Sequence, residues 1–184
     1  MILRYGFLKI PRYYMRMIDT RFSSALQIVI AVAANEESSL RSTSETLAVG
    51  LDTNASFVRR ILVPLTESNI LASAEGYQGG VRLAKAPEAI RLSEIYRAVT
   101  PENKIWAARK NIPHRCFVSG NIGRWSNHLR DKAADAILNM LGEITVQDSI
   151  SQLRSFEAEK FSNSDSADQH LFIQLLHPLP KDGP

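Results

Sequence analysis

The sequence predicts a mainly α-helical fold with a small β-hairpin, namely a winged helix-turn-helix followed by a long C-terminal dimerisation helix. Three observations carry that prediction. Residues 42–65 hold two short helical patterns separated by a polar turn. Residues 70–84 hold two strand-like runs around a glycine-rich turn. From Gly120 onward apolar residues recur at helical spacing over about six turns.

Met1 to Arg16 is basic and aromatic, with Arg4, Lys9, Arg12 and Arg16 among Tyr5, Phe7, Tyr13 and Tyr14. It lacks the apolar region and small-residue cleavage site of a secretory signal and reads as an arm, residues 1–16, preceding the first domain. From Asp19, the positions Phe22, Ala25, Leu26, Val29, Ile30 and Ala33 form one helical stripe, a scaffold helix of about four turns.

Ser42-Thr43-Ser44-Glu45 has the pattern of a capping box in which Ser42 and Glu45 exchange hydrogen bonds. A short helix should begin there, bury Leu47 and Ala48, and end at Gly50 in the left-handed conformation that glycine tolerates. Asp52, Thr53 and Asn54 are turn and N-cap residue types. Beyond them Phe57, Val58, Ile61, Leu62 and Leu65 form a second stripe directed at the core, and Pro64 should kink the last turn. The opposite face carries Asn54, Ser56, Arg59 and Arg60, the short polar and long cationic groups that a recognition helix offers to base edges and phosphates.

Ile70 to Ala74 and Val81 to Ala84 are the expected strands of a hairpin wing, with Gly76, Gly79 and Gly80 in its turn. A short helix follows, from Leu92 to Val99, and Pro101 stops it. Residues 101–119 show little periodicity and read as a linker or sensor loop. Gly120-Asn121 then opens the long helix, with Ile122, Trp125, Leu129, Ala133, Ile137, Met140, Leu141 and Ile144 on one side. Roughly 24 helical residues span about 36 Å, more than a winged helix needs to cover its own core. That surplus predicts a partner, and a second copy of the chain is the expected one. Thr145 to Asp148 forms a further capping box before a short helix ending near Leu153, which closes a dimerisation region of residues 120–154. Residues 155–184 turn polar and then proline-rich, as a C-terminal tail does.

Composition bounds the function. The net charge of +3 is placed unevenly: residues 1–16 hold four basic and no acidic residues, 17–100 hold eight and nine, and 101–184 hold ten of each. The predicted winged helix, residues 17–100, is thus close to neutral, and a nucleic-acid reading rests on where Arg59, Arg60, Arg82 and Lys85 stand. No apolar run approaches the roughly twenty residues of a membrane span. The single cysteine excludes an intrachain disulfide framework and fits a reducing cytoplasm. No nucleophile and base pattern, phosphate loop or metal-ligand spacing among His114, His128, His170 and His177 is present, so an enzyme is not expected and neither metal nor cofactor is assigned.

Val58-Arg59-Arg60-Ile61-Leu62 with Leu65, the wing from Gly76 to Lys85, and Ile90 to Val99 together resemble the Rrf-two family of bacterial winged-helix regulators, over about Met17 to Leu153. The resemblance implies a homodimeric transcription regulator, expected to be a repressor, that binds double-stranded DNA at an inverted repeat. The DNA-binding set it implies is Ser42 and Thr43, then Thr53, Asn54, Ser56, Arg59 and Arg60, and on the wing Tyr77, Gln78, Arg82 and Lys85. Cluster-binding relatives carry three cysteines in the linker; this chain has only Cys116 there, so it is most similar to the branch without an iron–sulfur cluster.

Cys116 lies beside Arg115, close to His114 and Lys110, ahead of the long helix; positive neighbours and a helix amino end favour thiolate. Cys116 and His114 are therefore the sensor candidates for a redox or electrophile signal, and Trp106 with Trp125 the candidates for a small-molecule effector pocket. The dimer interface is expected at Ile122, Trp125, Leu129, Ala133, Ile137 and Leu141. An alternative function is a winged-helix protein-interaction module without specific DNA binding, which the neutral charge balance of residues 17–100 supports.

Overall fold

A computed structural model describes residues 19–74, 79–100, 105–109 and 111–163. The chain divides into two compact units, residues 1–146 and 147–184.

Helix α1, Arg21–Glu37, is the scaffold. Its buried side is wider than the single predicted stripe: Ile28 and Val32 join Ala25, Val29 and Ala33 in full burial, whereas Ile30 is only half-buried. Neighbours on more than one side explain the difference, because α1 packs against the helix Ala55–Glu67, the second wing strand and the helix after the wing. Phe22 meets Tyr96 of that last helix edge to face, with ring centroids 5.2 Å apart.

Helix α2, Ser44–Gly50, begins one turn position later than predicted. Its N-cap is Thr43, not Ser42: the Thr46 amide donates to Thr43 Oγ1 at 3.2 Å and the Thr43 amide to Thr46 Oγ1 at 2.9 Å. Ser42 is buried, with Asn35 Nδ2 donating to its hydroxyl at 3.0 Å and the Val81 amide to its carbonyl at 2.8 Å. That contact with the wing holds Ser42 in extended pairing and moves the helix start onto Thr43. Gly50 is the last helical residue; the left-handed residue of the turn is Asp52, at φ 48°, a conformation that aspartate tolerates.

Helix α3, Ala55–Glu67, has Asn54 as its N-cap, the Phe57 amide donating to Asn54 Oδ1 at 2.8 Å. Val58, Ile61 and Leu65 are buried and the helix continues through Pro64. Strands β1, Leu71–Ala74, and β2, Gly80–Leu83, form the antiparallel wing, paired from Leu71 with Leu83 to Ala74 with Gly80. Among the described residues, the wing is fastened to the body by Val81 to Ser42, by the Leu83 amide donating to Glu36 Oε1 at 2.5 Å, by Arg41 Nη2 donating to the Gly79 carbonyl at 2.9 Å, and by Lys85 to Glu94.

Helix α4, Leu92–Val99, buries Leu92, Ile95 and Val99. Helix α5, Phe117–Glu143, starts three residues before the predicted Gly120 because Cys116 caps it. At its far end the chain returns to the winged helix, with the Leu92 amide donating to the Ile144 carbonyl and the Val146 amide to the Ile90 carbonyl, at 3.0 and 2.9 Å. The last helix, α6, Val146–Asn163, extends well past the expected end at Leu153. Glu157, Ala158, Glu159 and Lys160 are strong helix formers, and Lys160 Nζ lies 3.2 Å from Glu157 Oε2 one turn away.

Candidate nucleic-acid interface

The surface of α3 opposite its buried stripe exposes Asn54, Ser56, Arg59 and Arg60, and Thr53 is half-buried in the turn before it. The Asn54 side-chain oxygen is spent on the helix cap, which leaves its amide group as the outward donor. Arg60 lies over the Phe57 ring, its guanidinium carbon 5.8 Å from the centroid, a stacking that holds the side chain along the helix surface.

Arg59 is held differently. Its Nη2 donates to Glu45 Oε1 at 2.6 Å and its Nε to Ser44 Oγ at 3.2 Å, linking α3 to the first turn of α2. The Glu45 carboxyl is held below its ordinary range, first by its own backbone amide, then by Arg59 and by Ser44. Neither Ser44 nor Glu45 belongs to the sequence-predicted site. Glu45 and Arg59 stand fourteen positions apart, and no local pattern relates them.

On the α2 side, Thr43 is half-buried and occupied as a cap, and buried Ser42 offers nothing outward. On the wing, Arg82 is exposed, with a 3.5 Å contact from its Nη1 to the Leu83 carbonyl. Lys85 is turned inward, its Nζ 2.6 Å from Glu94 Oε2 on α4, where both side chains are about one-third exposed. Tyr77 and Gln78 lie outside the described residues. Arg41, which spans from the start of α2 to the wing at Gly79, is an exposed cation that sequence reasoning placed in a plain connection.

The predicted dimer residues divide along α5. Leu141 is buried beside Ala134 within its own subunit, and Ala133 and Ile137 are half-buried. Ile122, Trp125 and Leu129 remain exposed, at 38, 58 and 46%. Near the start of the helix the His114 imidazole occupies the space where a side chain at Gly120 would lie. Cys116 is exposed and caps α5, accepting from the Ser119 amide at 3.5 Å. The Ser119 amide, the Ser119 hydroxyl and the Val118 amide hold the thiol below its ordinary value. Of the two tryptophans, Trp106 donates to the Ser126 hydroxyl at 3.2 Å, and Trp125 borders an open groove with Asn121, Arg124 and His128.

Residues 18–152 match the model of a family described as Rrf2, iron-dependent transcriptional regulator. The chain belongs to the Rrf2 family. YwnA of Bacillus subtilis, assigned as an HTH-type transcriptional regulator, is 30% identical over 137 residues, covering 74% of this chain and 99% of YwnA. The HTH-type transcriptional regulator NsrR of Bacillus licheniformis is 25% identical over 126 residues, 68% of this chain and 86% of that protein. Among solved structures, CymR, the global cysteine regulator of B. subtilis, superposes with a TM-score of 0.52 at 20% identity, over 73% of this chain and 96% of CymR. This Rrf2 protein is accordingly a winged-helix, DNA-binding transcriptional regulator and not an enzyme. No helix among its described residues is long and apolar enough to cross a membrane.

An iron–sulfur cluster held by thiolates of this chain does not fit its donors. A thiolate-held cluster needs several cysteines and the sequence has one. Among the described residues no three His, Cys, Asp or Glu side chains are grouped to hold a metal ion.

Proposed function

We propose that this Rrf2 protein is a cytoplasmic homodimer that binds an inverted-repeat operator and represses transcription from it, α3 lying in the major groove and the wing along the sugar-phosphate backbone. The observation that carries the reading is the exposed face of α3, where Asn54, Ser56, Arg59 and Arg60 stand together clear of the core. Arg82 and Arg41 suit phosphate contacts on either side; Lys85, committed to Glu94, serves to anchor the wing. The exposed row Ile122, Trp125 and Leu129 on α5 supports pairing with a second copy, and a two-fold dimer presents two equivalent helices to a symmetric site. The signal we assign to the linker is oxidation or alkylation of Cys116, because the thiol is exposed and sits at the joint between the winged helix and the dimer helix.

Selection of binding sites from random duplex DNA with the full chain tests the reading. The expected product is an inverted repeat, and Arg59→Ala is expected to cost about 1–3 kcal/mol at one base pair of each half-site. The near-neutral winged helix favours one rival, a protein-interaction module. A salt slope near zero and no enriched sequence would establish that rival instead.

A further inference from the structure

A carboxylate on a DNA-facing surface repels phosphate, so the position of Glu45 calls for a reason. Stability does not provide one. The side chains of Arg59 and Glu45 are 58 and 64% exposed, and ion pairs this open contribute little to folding. Contact between α2 and α3 is already secured by buried Leu47, Ala48, Val58 and Ile61.

The geometry of the guanidinium gives a better answer. Arginine presents two flat pairs of N–H donors, a side pair from Nε and Nη2 and an outer pair from Nη1 and Nη2. Here the side pair is occupied, Nε by Ser44 Oγ and Nη2 by Glu45 Oε1. The outer pair is left, on a group whose rotation about the side chain is now restricted. Two parallel donors at that spacing match O6 and N7 of guanine in the major groove.

We propose that Glu45, assisted by Ser44, is a positioning residue that fixes Arg59 so that its outer N–H pair reads a guanine in each half-site. This rests on α3 being the reading helix. Glu45 thereby sets sequence preference while lowering affinity for DNA in general, since its charge opposes every phosphate nearby. An unbraced Arg59 swings to the nearest phosphate, which is present in any sequence.

The test uses the full chain, the site selected by the wild type, and a panel of single-base variants of that site, at one salt concentration. Glu45→Gln, Arg59→Ala and the double variant are compared with wild type. Glu45→Gln keeps the side-chain shape and removes the charge, and equal unfolding midpoints confirm that folding is intact. The expected result is a loss of about tenfold in preference at one base pair per half-site, with non-specific binding equal or tighter. Arg59→Ala should flatten the same base pair, and the double variant should be no flatter than Arg59→Ala alone. Three results overturn the proposal while leaving the operator reading intact: a uniform change with the preference profile preserved, flattening at a different base pair, or additive losses in the double variant. A wild type without sequence preference overturns both.

Discussion

Gly80, at the start of the second wing strand, leaves no room for a side chain against Ser42. A Cβ built there stands 2.6 Å from the Ser42 carbonyl oxygen, and the residue sits at φ 154°. The same carbonyl accepts the Val81 amide that fastens the wing to the start of α2. Gly80→Ala must therefore strain the backbone or break that hydrogen bond, at a cost of about 1–3 kcal/mol. Urea unfolding should show the loss as a lower midpoint at unchanged slope, and DNA affinity should fall with it because the wing loses its fixed angle to α3.

Lys85 and Glu94 brace the other end of the wing. Burial alone would raise the Glu94 carboxyl, but the Lys85 ammonium, the Arg91 amide and the charges of Lys85 and Arg97 together bring it below its ordinary 4.5. A carboxyl depressed in the folded state stabilises fully above its unfolded value, and that contribution is lost as pH falls through the folded value. The stability gap between wild type and Glu94→Gln, expected to be about 1 kcal/mol or less at pH 7, should thus close as pH is lowered past 4.5. Lys85→Ala should leave the salt slope of DNA binding unchanged, whereas Arg82→Ala should reduce it by about one.

Leu129 and Leu141 sit on one helix in different surroundings, and charge substitutions separate them. Leu141→Glu buries an unpaired carboxylate inside its own subunit and should prevent folding. Leu129→Glu changes a side chain that is 46% exposed in the single subunit. The expected outcome is a folded monomer in sedimentation where the wild type is a dimer; a variant that stays dimeric would move the interface off this row.

Thiol chemistry at Cys116 has a defined sign. The Ser119 amide and hydroxyl and the Val118 amide favour the thiolate, so the pH midpoint of iodoacetamide alkylation should fall below the ordinary 9.0 and return to it in urea. Cys116→Ser keeps a good N-cap and should unfold at an equal or higher midpoint. The serine variant should also bind DNA as the wild type does and ignore peroxide. An equal peroxide response in both proteins would remove Cys116 from signalling.

The winged helix was legible because its evidence is local: the stripe through Val58, Ile61 and Leu65, the cap at Asn54, and the two strand runs, although Gly80, expected in the turn, is the first residue of β2 and pairs with Ala74. Where reading failed, a tertiary contact decided the outcome. Ser42-Thr43-Ser44-Glu45-Thr46 holds two overlapping capping patterns, and only the pairing of Ser42 with Val81 selects the second. The turn after α2 uses Asp52 in the left-handed region although Gly50 stands two residues before it. The exposed positions Asn54, Ser56, Arg59 and Arg60 were readable by period, but the partner of Arg59 was not, since Glu45 lies on another helix. Lys85 looked like a phosphate ligand for the same reason: Glu94, nine residues on, comes into reach only once α4 packs beside the wing.

The ion pairs Arg59–Glu45 and Lys85–Glu94 also bear on how the protein finds its site. Two cations of the winged helix already face carboxylates, and residues 17–100 carry no surplus positive charge. Loose attachment to bulk chromosomal DNA depends on such a surplus through counterion release. A domain balanced in this way is expected to spend little time sliding and to return quickly to solution after each unproductive encounter. On the proposed reading, its search of the genome is expected to consist of many short visits that lengthen where the bases satisfy Arg59.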